Sequence, residues 1–560
     1  LIMATFPLKS PTGQWVLTAT ILASAMAFID GTALNVVLPA LQRGLNATGA
    51  DLFWVLNAYL LVLAALILVG GSLGDRLGRK RVYMIGILVF ILGSVACGLA
   101  PDVGFLIGFR ALQGVGGALM IPGSLSLLSS SIDPGERGKA IGTWSAITTV
   151  VTMGGPVLGG AMADAGLWRG IFYINVPIGL ITLLILWRKV PESKEAAASR
   201  QLDIPGVLAI ALGLAALTFG FLRTAYVGSG GGTGGSAALG LGSWQVWGPL
   251  VLGAVLLGLF VWIEGRRKDP MMPLSLFANR TFSGVNALTF FLYAGLGAGM
   301  LFLSLNLVQA QGYSQLQSGL TFLPFTVLMI TIARWAGSLA DKHGARLFLI
   351  LGPATAGLGL LLLSFVGATR GPADYWTHFL PGVLVLGLGM SFTVAPLTTT
   401  VMNSVSDEHS GVASGINNAM TRIAGVFANA IFGALAVLLF SGALRGRLEG
   451  FSEVPVGRVG EISATLGGPV GGLPATPAGR TTGVLLSAEQ RDAVMAQAAN
   501  LGNAKVPAEV PAEGAAALEA LYRESFIRVY GDILRVAAGL AFLGAIMGML
   551  FVRGKPARAD

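Results

Sequence analysis

The chain has 560 residues, of which 54% are hydrophobic and only 11% charged, and its mean hydropathy is +0.75. A water-soluble fold of this length needs far more polar surface, so that class is excluded. The net charge of +9 would suit a nucleic-acid partner, but the basic residues are clustered in a way that topology explains, and no nucleic acid is expected.

Apolar stretches of roughly 20 residues, the length that about 30 Å of hydrocarbon demands of a helix, recur along the chain. They lie at about 15–38, 52–72, 82–100, 104–128, 139–163, 168–187, 204–223, 246–263, 282–310, 317–337, 347–367, 377–403, 411–440 and 527–552. They are too long and too unalternating for barrel strands. Lipid leaves no partner for open backbone groups, so helices are the expected spanning elements. The expected fold is an all-α polytopic membrane protein of 14 spans. A six-helix bundle covers 15–187, a linker with two extra transmembrane helices covers 188–281, and a second six-helix bundle covers 282–552. Residues 1–14 run directly into a full-length span, so no cleavable leader is expected.

If the N-terminus is inside, the short even-to-odd loops carry Arg76, Arg79, Lys80, Arg81, Arg137, Lys139, Arg188, Lys189, Arg266, Arg267, Lys342 and Arg346, among others. The short loops and helix mouths of the opposite side carry only Arg43, Arg169, Arg223 and Arg370. The positive-inside rule then puts both termini in the cytoplasm, with the chain in a bacterial inner membrane.

An internal repeat runs through this pattern. Residues 71–80 read GSLGDRLGRK and residues 337–346 read GSLADKHGAR, an offset of 266. Pro122 precedes Asp133 as Pro396 precedes Asp407, an offset of 274. Two six-helix halves in parallel order favour a rocking, alternating-access transporter over a channel or a membrane enzyme. Segment 441–526 is the one substantial stretch outside the spans and is expected on the extracytoplasmic side. Its first part, SATLGGPVGGLPATPAG at 463–479, is loop-like. Its second part holds a capping-box pattern at Ser487–Gln490 and then AAALEALYRESFIRVY, consistent with two short helices over the outer mouth.

Asp30 lies inside the first span, where a carboxylate is expensive unless paired, protonated or hydrated. Counting about 1.5 Å of rise per residue, Asp30 is roughly 13 Å and Arg110 of the fourth span roughly 10 Å below the outer ends of their helices. The matching depths allow the two to approach. Arginine does not release its proton at working pH, which makes Arg110 a fixed charge that tunes an acid. Gln113, three residues on, shares its face. The alternative for both charged residues is a structural ion pair.

Asp75, Arg76 and Arg79 form a charged turn after the second span, echoed by Asp341 after the tenth, and are candidates for a gating latch as well as for simple anchoring. In the fifth span, Gly155, Pro156 and Gly159 combine small residues that permit tight helix contact with a proline that frees a backbone carbonyl. Candidate cavity-lining residues are diffuse: Phe28, Asn35, Gln113, Asn175, Asn286, Tyr293, Phe322, Phe325 and Asn417. Each is as consistent with packing as with a ligand, but together they suit an amphipathic organic solute better than an inorganic ion. The lone Cys97 and three scattered histidines give neither a disulfide framework nor a metal site. No GxxxxGK[ST] phosphate loop occurs, glycine-rich runs lie inside spans without a strand before them, and no cofactor or enzymatic centre is expected.

The segments FIDGTALNVVLP (28–39), GSLGDRLGRKR (71–81), FRALQGVGG (109–117) and MGGPVLGG (153–160) resemble the signature motifs of the major facilitator superfamily. With LWRGIFYINVPIG (167–179), they resemble more narrowly its fourteen-helix drug:proton antiporter branch, the EmrB/QacA type. The resemblance implies proton coupling through Asp30 and Arg110, a cytoplasmic gating loop at Asp75 and Arg79, and an antiporter motif at Gly155, Pro156 and Gly159. It also implies proton-driven export of hydrophobic or amphipathic compounds, with protons and membrane lipid as the other partners. A dedicated exporter or flippase of one native metabolite or lipid is the alternative. A monomer is the expected unit, and a periplasmic adaptor is not indicated.

Overall fold

The computed structural model describes residues 5–133, 136–192, 203–228, 244–267, 270, 272–405, 410–448, 486–508, 510 and 512–553. The Gly-rich run after Gly228, the stretch 463–479 and Asp407 lie outside them.

The first half is built from α1 (Pro11–Leu45), α2 (Gly49–Leu77), α3 (Arg79–Gly98), α4 (Val103–Ser131), α5 (Arg137–Asp164) and α6 (Gly170–Lys189). Polar caps set several starts: Ser10, Thr48 and Asp102 accept hydrogen bonds from amides of the first turns of α1, α2 and α4, satisfying donors that a helix leaves open. Two further helices follow, α7 (Ile204–Gly228) and α8 (Trp244–Arg266). The second half holds α9 (Arg280–Gln309), the short α10 (Gln315–Leu320) leading into α11 (Leu323–His343), then α12 (Ala345–Ser364), α13 (Leu380–Asn403) and α14 (Ser410–Leu448). After α15 (Ala488–Ala496) the last helix, α16 (Ala512–Phe551), returns into the bundle.

Among the described residues, 12 helices are long and apolar enough to cross a membrane. Among the described residues, α2 offers the shorter apolar helix Asp51–Ile67 and α5 is not among the twelve; α2 lies against α4 and α5 against α1.

The sequence repeat is a repeat of geometry. Gly78 ends α2 and opens α3 with φ 110°, and Gly344 does the same between α11 and α12 with φ 93°. A side chain resists this backbone, so glycine is what allows two long helices to turn back on each other without a loop. Helix contact repeats too. A Cβ on Gly116 would collide with the Phe90 amide where α4 meets α3, and one on Gly389 would collide with the Ala356 amide where α13 meets α12.

Cross-half contacts run α1 to α9, α2 to α14 and α5 to α10. They gather toward one end of the bundle, which also carries the segment after Leu486 and is called here the capped end. Phe53 of α2 meets Phe302 of α9 with ring centroids 6.0 Å apart. The helices α7 and α8 pack on each other, and α7 also lies against both α2 and α14, so the pair covers that seam from outside.

The capping box at Ser487 and Gln490 forms and starts α15. The 3-10 segment Gln497–Asn503 then crosses both halves, with Gln42 of α1 donating to the Asn500 carbonyl at 3.4 Å. The second short helix expected from the sequence is instead the first part of α16, continuous over 40 residues. Leu518, Tyr522, Phe526, Val529, Tyr530 and Ile533 are buried at helical spacing, so one apolar stripe carries through the expected boundary at 526/527. The helix α14 likewise runs on to Leu448.

Adding a side chain at the paired turns should strain both halves alike. Gly78→Ala and Gly344→Ala are each expected to destabilise the purified protein by about 1–2 kcal/mol, read as a lowered midpoint of thermal unfolding in detergent. No change in either midpoint would contradict the backbone constraint.

Candidate functional site

Four helices of the first half converge on Asp30. Arg110 of α4 donates from Nη1 to Asp30 Oδ2 at 2.6 Å, and the two side chains are each 1% exposed. Gln113, one turn on, donates from Nε2 to Asp30 Oδ1 at 2.8 Å and accepts from Arg110 Nη1 at 2.7 Å. Asn175, near the start of α6, completes the carboxylate's shell at 3.4 Å and donates to Ser94 Oγ of α3 at 2.9 Å. Ser94 in turn donates to the Phe172 carbonyl at 2.8 Å. On the other side of Arg110, Nε donates to the Val55 carbonyl of α2 at 3.3 Å, and the guanidinium lies 4.5 Å from the centre of the Tyr59 ring.

This network has a physical logic. A buried charge is tolerated only when paired and hydrogen-bonded, and both oxygens of Asp30 are occupied. Gln113, on the same face as Arg110, extends this polar network, and Asn175, named above among the cavity candidates, also donates to that carboxylate. The depth count that matched Asp30 with Arg110 identified the pair, whereas Ser94 and Tyr59 carried no signal in the sequence that set them apart from ordinary span residues.

The expected glycine–proline motif lies on the seam. Pro156 lacks an N–H, which leaves the Thr152 carbonyl without its helical donor. Thr32 of α1, two residues past Asp30, shares its hydroxyl proton between that carbonyl at 2.9 Å and the Phe28 carbonyl of its own helix at 2.8 Å. Gly155 and Gly159 permit this approach, since a Cβ on either would run into Thr32 or Ala33. Further along α5, a Cβ on Gly160 would collide with the Gln315 carbonyl, and one on Gly319 would collide with the Pro156 carbonyl. Asp164 closes the α5 end by accepting from the amides of Gln315 at 2.8 Å and Leu316 at 2.9 Å. A single helix therefore touches the Asp30 helix on one side and the second half on the other.

In the second half, Asn417 of α14 donates to Asn286 Oδ1 at 3.2 Å and to Thr289 Oγ1 at 2.8 Å, both on α9. Phe322 and Phe325 are buried at the start of α11, while Phe28, Asn35 and Tyr293 are partly buried. These candidates are dispersed over both halves rather than gathered at one point. At the charged turn, the Lys80 amide donates to Glu192 Oε1 at 2.9 Å and Arg81 lies 3.7 Å from the same carboxylate. Arg79 is partly buried and engaged, and the side chains of Asp75, Arg76 and Asp341 lie outside the described residues. Among the described residues no group of His, Cys, Asp and Glu could hold a metal ion.

The family model described as Major Facilitator Superfamily matches residues 20–429. The multidrug resistance protein Stp of Mycobacterium tuberculosis is 35% identical over 444 residues, covering 79% of each chain. The tetracenomycin C resistance and export protein of Streptomyces glaucescens is 27% identical over 541 residues, 96% of this chain and 92% of its own. Among solved structures, a bacterial homologue of the human lysosomal transporter Spinster, inward-facing and unoccupied, aligns at a TM-score of 0.61 with 17% identity. That alignment covers 98% of this chain and 100% of the other, and supports the same fold.

Removing one partner of the buried pair should hurt more than removing both. Arg110→Gln is expected to destabilise the protein by about 3–5 kcal/mol, because it strands a carboxylate. Asp30→Asn combined with Arg110→Gln is expected to recover part of that loss, measured as unfolding midpoints of the wild type, both single variants and the double variant in the same detergent. A double variant as unstable as the sum of its singles would show that the pair is not coupled.

Proposed function

Because the chain belongs to the major facilitator superfamily, a family of transporters rather than enzymes, we propose that it is a proton-coupled antiporter that exports hydrophobic or amphipathic small molecules by alternating access. Efflux of drugs across the membrane is supported by its relatives among bacterial multidrug and antibiotic-resistance transporters. The observation that carries proton coupling is the fully withdrawn Asp30 carboxylate, held by Arg110, Gln113 and Asn175. An acid in this setting is neutralised by a proton or by its cation, and exchanging one for the other changes the forces between α1 and α4.

Counting α2 and α5 as spans gives fourteen, the arrangement of the EmrB/QacA type, with 15–187 and 282–552 as the moving bundles and 188–281 as the added pair. Both termini and the basic turns face the cytoplasm in this reading, so the capped end is extracytoplasmic and closed. Opening it requires α5 to leave α10, breaking the Asp164 contacts to Gln315 and Leu316. Thr32 ties that event to α1: protonation of Asp30 loosens Arg110 and lets α1 and α5 shift together. The turn at Asp75, Arg76 and Arg79, with its counterpart at Asp341, is the complementary latch on the cytoplasmic side.

The alternative is a dedicated exporter or flippase of one native metabolite or lipid. What supports it is the similarity over almost the whole length to a protein named for resistance to and export of one compound, tetracenomycin C.

Proteoliposomes with a pH-sensitive dye inside test the coupling. With a proton gradient imposed, adding a transported compound is expected to move protons in the wild type, and Asp30→Asn is expected to abolish that movement while the protein stays folded. Substrate-driven proton flux that persists in Asp30→Asn would remove Asp30 from the mechanism.

A further inference from the structure

Arg422 lies 12 residues after the start of the apolar helix α14, about 18 Å along it by helical rise. An arginine there is a functional hypothesis by default, because hydrocarbon tolerates it only beside a partner or water. Among the described residues it has no hydrogen bond and no ion pair. The nearby carboxylate of the first half offers none, since Asp30 is already occupied by Arg110, Gln113 and Asn175.

The surroundings place this charge where the two halves face each other. One turn toward the capped end, Gly425 meets Leu60 of α2, and two turns further Gly433 lies against Phe53. Toward the other end, Asn417 is bound to α9 and Asn418 is exposed. Arg422 itself is partly buried. It lies within electrostatic range of Tyr59 on α2 and Tyr293 on α9, one from each half. Tyr59 also carries Arg110 on its ring, so both arginines act electrostatically on one tyrosine.

A permanent cation inside a span, within electrostatic range of a tyrosine from each half and with no carboxylate partner among the described residues, is a site for an apolar molecule bearing a negatively charged oxygen. We propose that Arg422 is a substrate-recognition residue and that the exported compounds it selects are aromatic or amphipathic acids of the carboxylate or phenolate class. The proposal deepens the export reading and rests on it. A phosphate of an anionic lipid has the same chemistry, so the test separates the two sources.

The test uses the full chain in nanodiscs of neutral phosphatidylcholine, with fluorescence anisotropy of 9-anthracenecarboxylate compared with the matching primary amide and with 9-anthracenylmethylammonium. The carboxylate is expected to bind at least tenfold more tightly than either analogue. Arg422→Gln is expected to bring carboxylate and amide within about twofold of each other by weakening only the carboxylate, and Arg422→Lys to retain part of the preference. An unchanged unfolding midpoint for both variants separates lost recognition from lost folding. Absence of a carboxylate preference in the wild type, or its survival in Arg422→Gln, overturns the proposal. In discs containing phosphatidylglycerol the preference is expected to remain. Its disappearance there, with restoration in neutral discs, assigns the site to a lipid phosphate and also overturns it. Proton flux in proteoliposomes is read separately: selective binding without substrate-driven flux counts against the export reading and leaves the recognition site standing, whereas flux without selectivity does the reverse.

Discussion

Withdrawing a carboxylate from water into a helical bundle is among the most costly things a membrane protein does, and the rest of the first half is arranged around Asp30. Arg110 neutralises it, Gln113 and Asn175 fill its remaining acceptor sites, and Ser94, Phe172 and Val55 fix those partners in turn. The consequence is rigidity with one exit. So many donors converge on one group that small displacements of a single helix are resisted, but a proton on Asp30 weakens several bonds at once. Bistability of this kind is what an alternating-access machine needs, because packed helices shift between discrete arrangements rather than deform continuously.

The backbone carries that local event to the seam. Pro156 removes a hydrogen bond from α5, and Thr32 of α1 takes up the carbonyl set free, so the helix holding Asp30 and the helix that meets the second half are joined by a polar bond as well as by apolar contact. Small residues keep the joint thin. Gly155 and Gly159 face α1, while Gly160 faces Gln315 and Gly319 faces the Pro156 carbonyl, so α5 lies between two close-packed surfaces without large side chains that would blur its movement. The antiporter-type motif thus reads as a mechanical part: a proline that exposes one acceptor and glycines that let a partner reach it.

Much of this was legible in the residues because lipid makes few exceptions. Asp30 and Arg110 stand out in apolar context, and counting helical rise put them at one depth; the repeat of GSLGDRLGRK in GSLADKHGAR indicated two similar turns, and Gly78 and Gly344 share the same unusual backbone. What escaped was relational. Thr32 and Ser94 are common span residues whose importance lies only in what they touch. Asn175 looked like a cavity amide because sequence does not say which way an amide faces. The start of α16 was split from its span because Glu519, Arg523, Glu524 and Arg528 interrupt the hydropathy, although they occupy the face opposite a continuous buried stripe. Arg422 stands in apolar context as Arg110 does, but that Asp30 is already taken and leaves it no carboxylate among the described residues is visible only in the structure.

The charges fix what kind of coupling is available. With Asp30 ionised, it and Arg110 cancel, and Arg422 leaves the region between the halves with one positive charge; with Asp30 protonated, Arg110 is uncompensated and the region carries two. A cationic substrate would therefore compete with the proton directly, each repelling the other. An anionic substrate of the kind proposed for Arg422 would be held more tightly once Asp30 is protonated, so direct electrostatic competition does not produce antiport for it. Exchange must then come from conformation, with the proton and the substrate favouring opposite openings of the bundle, the first by loosening α1 from α4 and the second by bridging Arg422 to aromatic surface on both halves. The membrane potential assists such a cycle, because an anion leaving a negative interior and a proton entering it both move downhill, each by about 2.3 kcal/mol per 100 mV. In the proposed cycle, charge placement and helix mechanics divide the work: the potential supplies drive, and the α1–α5 joint supplies the order in which the two ligands cross.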